Sequence, residues 1–246
     1  MNEFKLKEAN YEIENKVESF HWWFVGRRKL LKTLLASINV RAKSITLDLG
    51  CGTGSNLKVL TSEGCHVIGL DQSIYALTFA RSKGKSLFLV GDLNRLPIKE
   101  KSFDLIIAMD ILEHLEDDMK GISESYRVLN KGGILIVTVP AFNFLWGAQD
   151  LITGHKRRYT KKEIMEKLKK AGFDILKSSY FNFFLFFPIL IARRLIHLSG
   201  YRIESENEIN FPLINFFLKM IFSLEPIILG CFSFPFGISF FCIAKK

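Results

Sequence analysis

The stretch "LDLGCGTGSN", Leu47 to Asn56, constrains this chain more than any other. An apolar run enters it, Gly50, Gly52 and Gly54 alternate through it, and a helix-like segment, "SNLKVLTSEG", leaves it. A buried strand that turns on glycines into a helix brings bare backbone up to a ligand where a side chain would clash. The following residues repeat the grammar. "HVIGLD", "SLFLVGD", "FDLIIAMD" and "ILIVTVP" are short apolar runs without alternation, spaced by the helical segments "SIYALTFARSKG" and "EDDMKGISESYRVLNKGG". Runs of that kind are parallel strands covered on both faces, so the predicted fold class is α/β, doubly wound.

The turn also restricts the ligand. Nicotinamide and flavin sites use GxGxxG, whereas this turn is GxGxG, with Ser55 where the last glycine of the other pattern would stand. Asp48, two residues before the first glycine, suits a ligand that carries an ammonium group, not a pyrophosphate. Asp71 closes the second apolar run, where a carboxylate can accept hydrogen bonds from both ribose hydroxyls.

On these residues the chain resembles the class I S-adenosylmethionine-dependent methyltransferases over about residues 44–180. "DLGCGTG" is similar to that family's first motif, "GLDQS" to its ribose-binding acid and "GDLNRLP" to its adenine-contacting region. "SFDLIIAMDILEH" and "RVLNKGGILIVTVP" are similar to its fourth-strand and fifth-strand regions. The resemblance implies a Rossmann-like seven-stranded sheet of order 3-2-1-4-5-7-6 with an antiparallel seventh strand, here "ISFFCIAKK". It implies S-adenosyl-L-methionine as cofactor, with S-adenosyl-L-homocysteine as product. The implied cofactor-binding residues are Asp48, Gly50, Cys51, Gly52, Gly54, Asp71, Gln72, Asp92, Leu93, Asp110 and His114. Asp110, Glu113 and His114 would lie beside the sulfonium, although "LEH" reads equally well as the scaffold of a helix start.

Methyl transfer from a sulfonium is an in-line displacement, so the protein mainly aligns the reactants, excludes water and, where the nucleophile carries a proton, supplies a base. His155, in "GHKRRY" on the long segment after the fifth strand, is the first candidate base, with His21 and His114 the others. Arg157, Arg158 and Tyr159 beside it would bind an anionic acceptor, or else form a solvated basic loop. Ahead of the first strand stands "HWWFVGRR". Trp22 and Trp23 would wall off the methyl donor and stack on the acceptor while Arg27 and Arg28 meet its anionic part, or the tryptophans would pack in the core of an amphipathic helix. A subset of bacterial and archaeal methyltransferases carries a similar HWWFxxRR block together with a later HxRRY block. No metal cluster is visible in the sequence.

The remaining sequence is unusually apolar. Most of the 23 phenylalanines lie from Phe173 onward, and the runs from Phe181 to Leu198 and from Phe211 to Ala244 are broken by Pro188, Arg193, Arg194, Lys219, Glu225, Pro212, Pro226 and Pro235. These runs fit helices lying in a membrane interface or a tunnel for a lipid-like acceptor, an oligomer interface such as a homodimer's, or ordinary core. The expected organisation is a helical lid at 1–43, a cofactor-binding core at 44–180, a hydrophobic helical insertion at 181–235 between strands six and seven, and a last strand at 236–246. The net charge of +9 admits an anionic partner. Nucleic acid is disfavoured because strand four ends in "MDILEH" and not in the [DN]PP[YF] block of amino-directed base methylation. The four cysteines form neither a zinc pattern nor a disulfide framework, and the charged N-terminus predicts no signal peptide. The expected setting is therefore cytoplasmic, peripheral on the inner face of the membrane. The expected activity is methyl transfer to a small-molecule or lipid-linked anionic acceptor, at oxygen first, with carbon and nitrogen open, and a non-catalytic scaffold of the same fold is the rival from another class.

Overall fold

The computed structural model describes residues 3–38, 40–199 and 211–246. Residues 200–210 of the expected insertion lie outside them. Two helices, α1 (Glu3–Val17) and α2 (Trp22–Ser37), precede the sheet. The strands are β1 (Ile45–Leu49), β2 (His66–Asp71), β3 (Leu87–Val90), β4 (Phe103–Met109), β5 (Leu129–Pro140), β6 (Asp174–Phe181) and β7 (Ser239–Lys245), in the order β3-β2-β1-β4-β5-β7-β6. The pairs from β3 to β5 are parallel, and β7 runs antiparallel to both β5 and β6. This is the expected sheet.

The continuous apolar runs still alternate in destination. Ile106 on β4 and Phe240 and Cys242 on β7 join one core with Ile122 of α5 (Asp118–Val128) and Ile164 and Leu168 of α7 (Lys161–Lys170). Their neighbours Leu105, Ile107, Phe241 and Ile243 join the other core with Leu30, Leu31, Leu34 and Leu35 of α2. That second core also holds Leu57 and Leu60 of α3 (Leu57–Ser62), Ala80 of α4 (Ile74–Ser82), and Phe222 and Leu229 of α9 (Pro212–Leu229). Two layers of helix bury both faces of the central strands, which is why those strands show no polar alternation.

Some boundaries differ from the sequence reading. β5 takes in "LNKGG", since the ladder to β4 begins at Leu129, opposite Phe103, and resumes at Ile134 after a register shift. α3 is short because residues 50–56 are held in the glycine turn. β3 is an edge strand and stays largely exposed, not covered on both faces. The segment after Pro140 is not a plain loop: it holds a 3-10 turn at Asn143–Leu145 and α6 (Ala148–Thr153). The capping box at Thr160 is formed, with Glu163 N–H donating to the threonine hydroxyl at 3.2 Å.

The apolar tail forms α8 (Phe186–Ser199) and α9. α9 lies against α2. Trp22 N–H donates to Asn215 Oδ1 at 2.7 Å and the Asn215 amide donates to the Phe20 carbonyl at 3.1 Å, which pins the start of α2. Gly26 gives the two helices their close approach, because a Cβ there would stand 2.1 Å from the Phe222 ring. Gly26→Ala is therefore expected to cost roughly 1–3 kcal/mol by overpacking. Gly84→Ala, where a Cβ meets nothing within 4 Å among the described residues, should be near neutral. Urea denaturation of both variants measures the contrast, and equal stabilities would refute this packing.

Candidate active site

The carboxyl ends of β1, β2, β4 and β5 meet above the glycine turn. The Gly50 and Cys51 N–H groups both donate to the Leu70 carbonyl, at 2.8 and 3.0 Å, so the turn folds back over the end of β2. Gly52 has φ +51°, and a Cβ there would meet nothing within 4 Å among the described residues. Its left-handed backbone thus borders open space. Its N–H donates to Asp71 Oδ2 at 2.8 Å, and Ser73 N–H donates to Asp71 Oδ1 at 2.8 Å. A carboxylate has about four lone-pair positions, so both oxygens keep capacity for hydroxyl donors.

Asp48 lies under the turn. Its Oδ1 accepts a long 3.4 Å bond from the Asn56 amide, and its buried Oδ2 has no hydrogen-bond partner among the described residues. Burial, reinforced by the charge of Asp71 and opposed by Asn56 and Arg27, pushes its carboxyl up to about 7. An orphaned buried carboxylate oxygen beside open backbone fits the ammonium group of an amino-acid ligand, and Asp71 fits a ribose. Cys51 is buried with its thiol pushed up by burial, so it serves through its backbone. Gln72 and Asp92 are exposed and joined at 3.4 Å, linking the ends of β2 and β3. Leu93 sends its side chain into the core, which leaves only its backbone for a ligand.

The end of α1 closes over this crevice. Thr53 donates from its hydroxyl to Glu18 at 2.6 Å, and Lys83 binds both the other Glu18 oxygen and the Thr53 carbonyl, at 2.6 and 2.7 Å. Sequence reasoning missed this latch, because nothing in the spacing of Glu18, Thr53 and Lys83 reports that they meet.

Asp110 ends β4 with φ +53°, an uncommon backbone for a side chain of this kind. Thr138 donates to its Oδ1 at 3.1 Å, and Arg27 pairs with its Oδ2 at 2.9 Å. Arg27 also donates to the Met109 carbonyl at 3.1 Å and lies 5.8 Å over the Trp23 ring. Beyond Asp110, Glu113 is 0% exposed and neither of its oxygens finds a hydrogen-bond partner among the described residues. Burial, then the charge of Asp110, holds its carboxyl well above the usual range. His155 Nε2 is 3.8 Å from Glu113 Oε1, and its ring meets His114 edge to face at 4.7 Å.

His155 is oriented by a residue the sequence reading did not single out. Asp150 Oδ1 is 2.7 Å from His155 Nδ1, and Asp150 is gripped by Arg158 Nε and Nη2, each at 2.9 Å, and by Gly147 N–H at 2.8 Å. Burial alone would raise the Asp150 carboxyl, but the His155 bond and the Arg158 charge hold it well below the ordinary range. Nδ1 is thereby engaged, and Nε2 is directed toward Glu113.

Other expected site residues take different places. Arg158 is buried on Asp150 and the Ala141 carbonyl, and Tyr159, 0% exposed, donates to Asp118 at 2.8 Å. Arg157 donates to the Leu115 and Glu116 carbonyls at 2.9 and 2.8 Å. Arg158 is thus an internal brace that fixes His155 through Asp150, while Arg157 and Tyr159 tie the same segment to the turn after β4 and to α5. Trp22 meets Phe222 edge to face at 5.8 Å, and Trp23 stacks on Phe222 at 5.6 Å and Phe181 at 6.3 Å, which is core packing for both. Arg28 reaches the Ser19 carbonyl at 3.5 Å. His21 caps α2 by accepting from Trp23 N–H at 3.4 Å, and burial pushes it down to about 4, a neutral helix cap and a poor base. The structure thus separates His21 from the pair His114 and His155.

Residues 47–137 match the family described as Methyltransferase domain. A relative named a probable S-adenosylmethionine-dependent methyltransferase, from Mycolicibacterium smegmatis, is 30% identical over 132 residues, 52% of this chain and 51% of that protein. A probable tRNA methyltransferase 9B of Mus musculus is 30% identical over 131 residues, 52% of this chain and 26% of its own length. The chain therefore spans about half, or less, of these relatives. The same fold occurs in the complex between the Haloferax volcanii Trm112 methyltransferase activator and a methyltransferase, with a TM-score of 0.64 and 20% identity over 100% of this chain and 98% of that one.

The Asp48 geometry has a measurable sign. Its folded value is about 7 against an ordinary 3.8. Between those values the folded state keeps a proton that the unfolded chain has lost, so this group's contribution to stability falls as pH rises through the interval. Asp48→Asn should gain stability relative to the unsubstituted chain from about pH 4 to about pH 7 and level off above. Parallel urea-unfolding curves for the two chains across that range would contradict the assignment.

Proposed function

Because residues 47–137 are a methyltransferase domain of the class I, S-adenosylmethionine-dependent kind, we propose that the chain transfers a methyl group to an oxygen of a small-molecule or lipid-linked acceptor at a membrane surface. The observation that carries the reading is the orphaned Asp48 oxygen beside Gly52 and Asp71, with the Glu113–His155 pair facing Asp110 along the same strand edge. When bound, S-adenosylmethionine supplies a methyl group on a cationic sulfur that leaves readily. Asp48 would hold its ammonium group, Asp71 its ribose hydroxyls, and Asp92 with the Leu93 backbone its adenine. The lid of residues 1–43 excludes water through the Glu18–Thr53–Lys83 latch. The proton of an acceptor hydroxyl is taken up at the cluster of Glu113, His114 and His155 on the strand edge.

The membrane part of the reading rests on α9. Leu213, Phe217, Met220, Leu224 and Ile227 form an exposed stripe at helical spacing, while Asn215, Phe222, Pro226 and Leu229 face the body. The helix is long and apolar enough to cross a membrane by length and composition. Against a crossing stands Glu225, buried and accepting from Phe184 N–H at 2.9 Å, which ties α9 to the folded body. An interfacial helix within the insertion of residues 181–235 accounts for both. The anionic character of the acceptor has lost its support with the engagement of Arg157 and Arg158. The rival reading, transfer to tRNA, draws on the murine relative and the net charge of +9.

Two measurements test this. Calorimetric titration of the full chain with S-adenosylmethionine near neutral pH should release protons, because a cation beside Asp48 favours its ionised form. Asp48→Asn should abolish that release, and Asp71→Ala should weaken binding roughly tenfold or more. With tritiated donor, label should enter the solvent-extractable lipid fraction. Label in tRNA instead would overturn the acceptor assignment, and an absence of donor binding would overturn the whole reading.

A further inference from the structure

The cluster beyond β4 has features that a proton-transfer pair does not need. Glu113, His114 and His155 each offer one ligand atom, and these atoms lie within 4.8 Å of one another. Glu113 is wholly buried, with neither oxygen hydrogen-bonded among the described residues, while the two histidines remain partly exposed and leave the cluster open on one side. A wholly buried carboxylate with no side-chain donor on either oxygen is costly unless something neutralises it. Behind His155 stands a complete outer support: Asp150 at 2.7 Å from Nδ1, held in turn by Arg158 and Gly147 N–H. A carboxylate on one ring nitrogen of a histidine fixes the tautomer so that the other nitrogen presents its lone pair, which is the arrangement found behind metal-ligating histidines.

We propose that Glu113, His114 and His155 bind one divalent first-row transition ion, such as Mn2+, Co2+ or Zn2+. Two imidazoles and one carboxylate suit these ions better than Mg2+ or Ca2+, which prefer oxygen. The 3.8 Å between His155 Nε2 and Glu113 Oε1 is wider than the roughly 3 Å edge of a filled site with bonds of about 2.1 Å, so small side-chain rotations close it. Three protein ligands on a cluster open at one side leave positions for an oxygen of the acceptor. With the ion bound these side chains no longer take up the acceptor's proton; the ion instead lowers the pKa of the bound hydroxyl, so that its proton is lost to solvent before transfer. That use of the ion rests on the methyl-transfer reading; its binding does not.

The test uses the full chain, stripped with chelator and without methyl donor, titrated with MnCl2 by electron paramagnetic resonance and with CoCl2 by visible absorption. The expected result is one saturable ion per chain, with Kd raised at least about tenfold in Glu113→Gln and in His155→Gln and unchanged in His66→Gln on the surface. Pulsed resonance of the Mn2+ complex of the unsubstituted chain should show coupling to imidazole nitrogen, a readout that survives if a variant fails to fold. Absence of saturable binding, absence of nitrogen coupling, or equal affinity in folded Glu113→Gln would each overturn the site. Calorimetry with S-adenosylmethionine on the same stripped sample reports on the methyl-transfer reading separately.

Discussion

One guanidinium holds the site together. Arg27 leaves α2, pairs with Asp110 at 2.9 Å and donates to the last carbonyl of β4. Its charge also acts on Asp48, Glu14 and Glu113. Asp48, Asp71, Asp110 and Glu113 crowd the ends of the strands with Glu14 of α1 beside them, and burial drives Asp48, Asp71, Glu14 and Glu113 toward protonation. A permanently charged, planar cation is the side chain best able to sit among them, since it cannot lose its proton and offers donors in several directions. Arg27 itself lies 5.8 Å over the Trp23 ring, which stacks on Phe222 and Phe181.

The parallel part of the fold and the shape of the turn above Asp48 were legible because local chemistry dictates them. Gly50, Gly52 and Gly54 require a left-handed backbone, and Asp48 and Asp71 sit at fixed offsets from a strand end, so sequence spacing maps directly onto geometry. The cluster around His155 was not legible in the same way. His155 could be singled out as a histidine on a long segment, but Asp150, which orients it, carries no motif. The arginines after it read as surface charge because sequence cannot distinguish a solvated guanidinium from one buried on a carboxylate. Trp22 and Trp23 suited a lid or a core equally well, and the choice was made by Phe222, nearly two hundred positions away.

The same distance governs the role of α9. Its pattern alone is that of a greasy helix; what distinguishes its two faces is α2, with Gly26 admitting Phe222 and Trp22 N–H meeting Asn215. The inward face thereby becomes part of the second core, and only the stripe from Leu213 to Ile227 remains for another partner. The insertion thus both completes the site, by buttressing the tryptophans, and extends an apolar surface beside it.

The position of β7 between β5 and β6 carries a consequence for how the chain assembles. Among the described residues β6 pairs with the sheet through β7 alone, and the two are separated in sequence by both apolar helices. Closing so long a loop carries an entropic penalty that the ladder recovers only when it is complete. Until then β5 presents a row of open amides and carbonyls next to unburied phenylalanines, the combination most prone to self-association in a nascent polypeptide. α9 stands shortly before β7 in the chain, so its hydrogen bonds and packing against α2 hold β7 at the ladder it completes in the finished molecule.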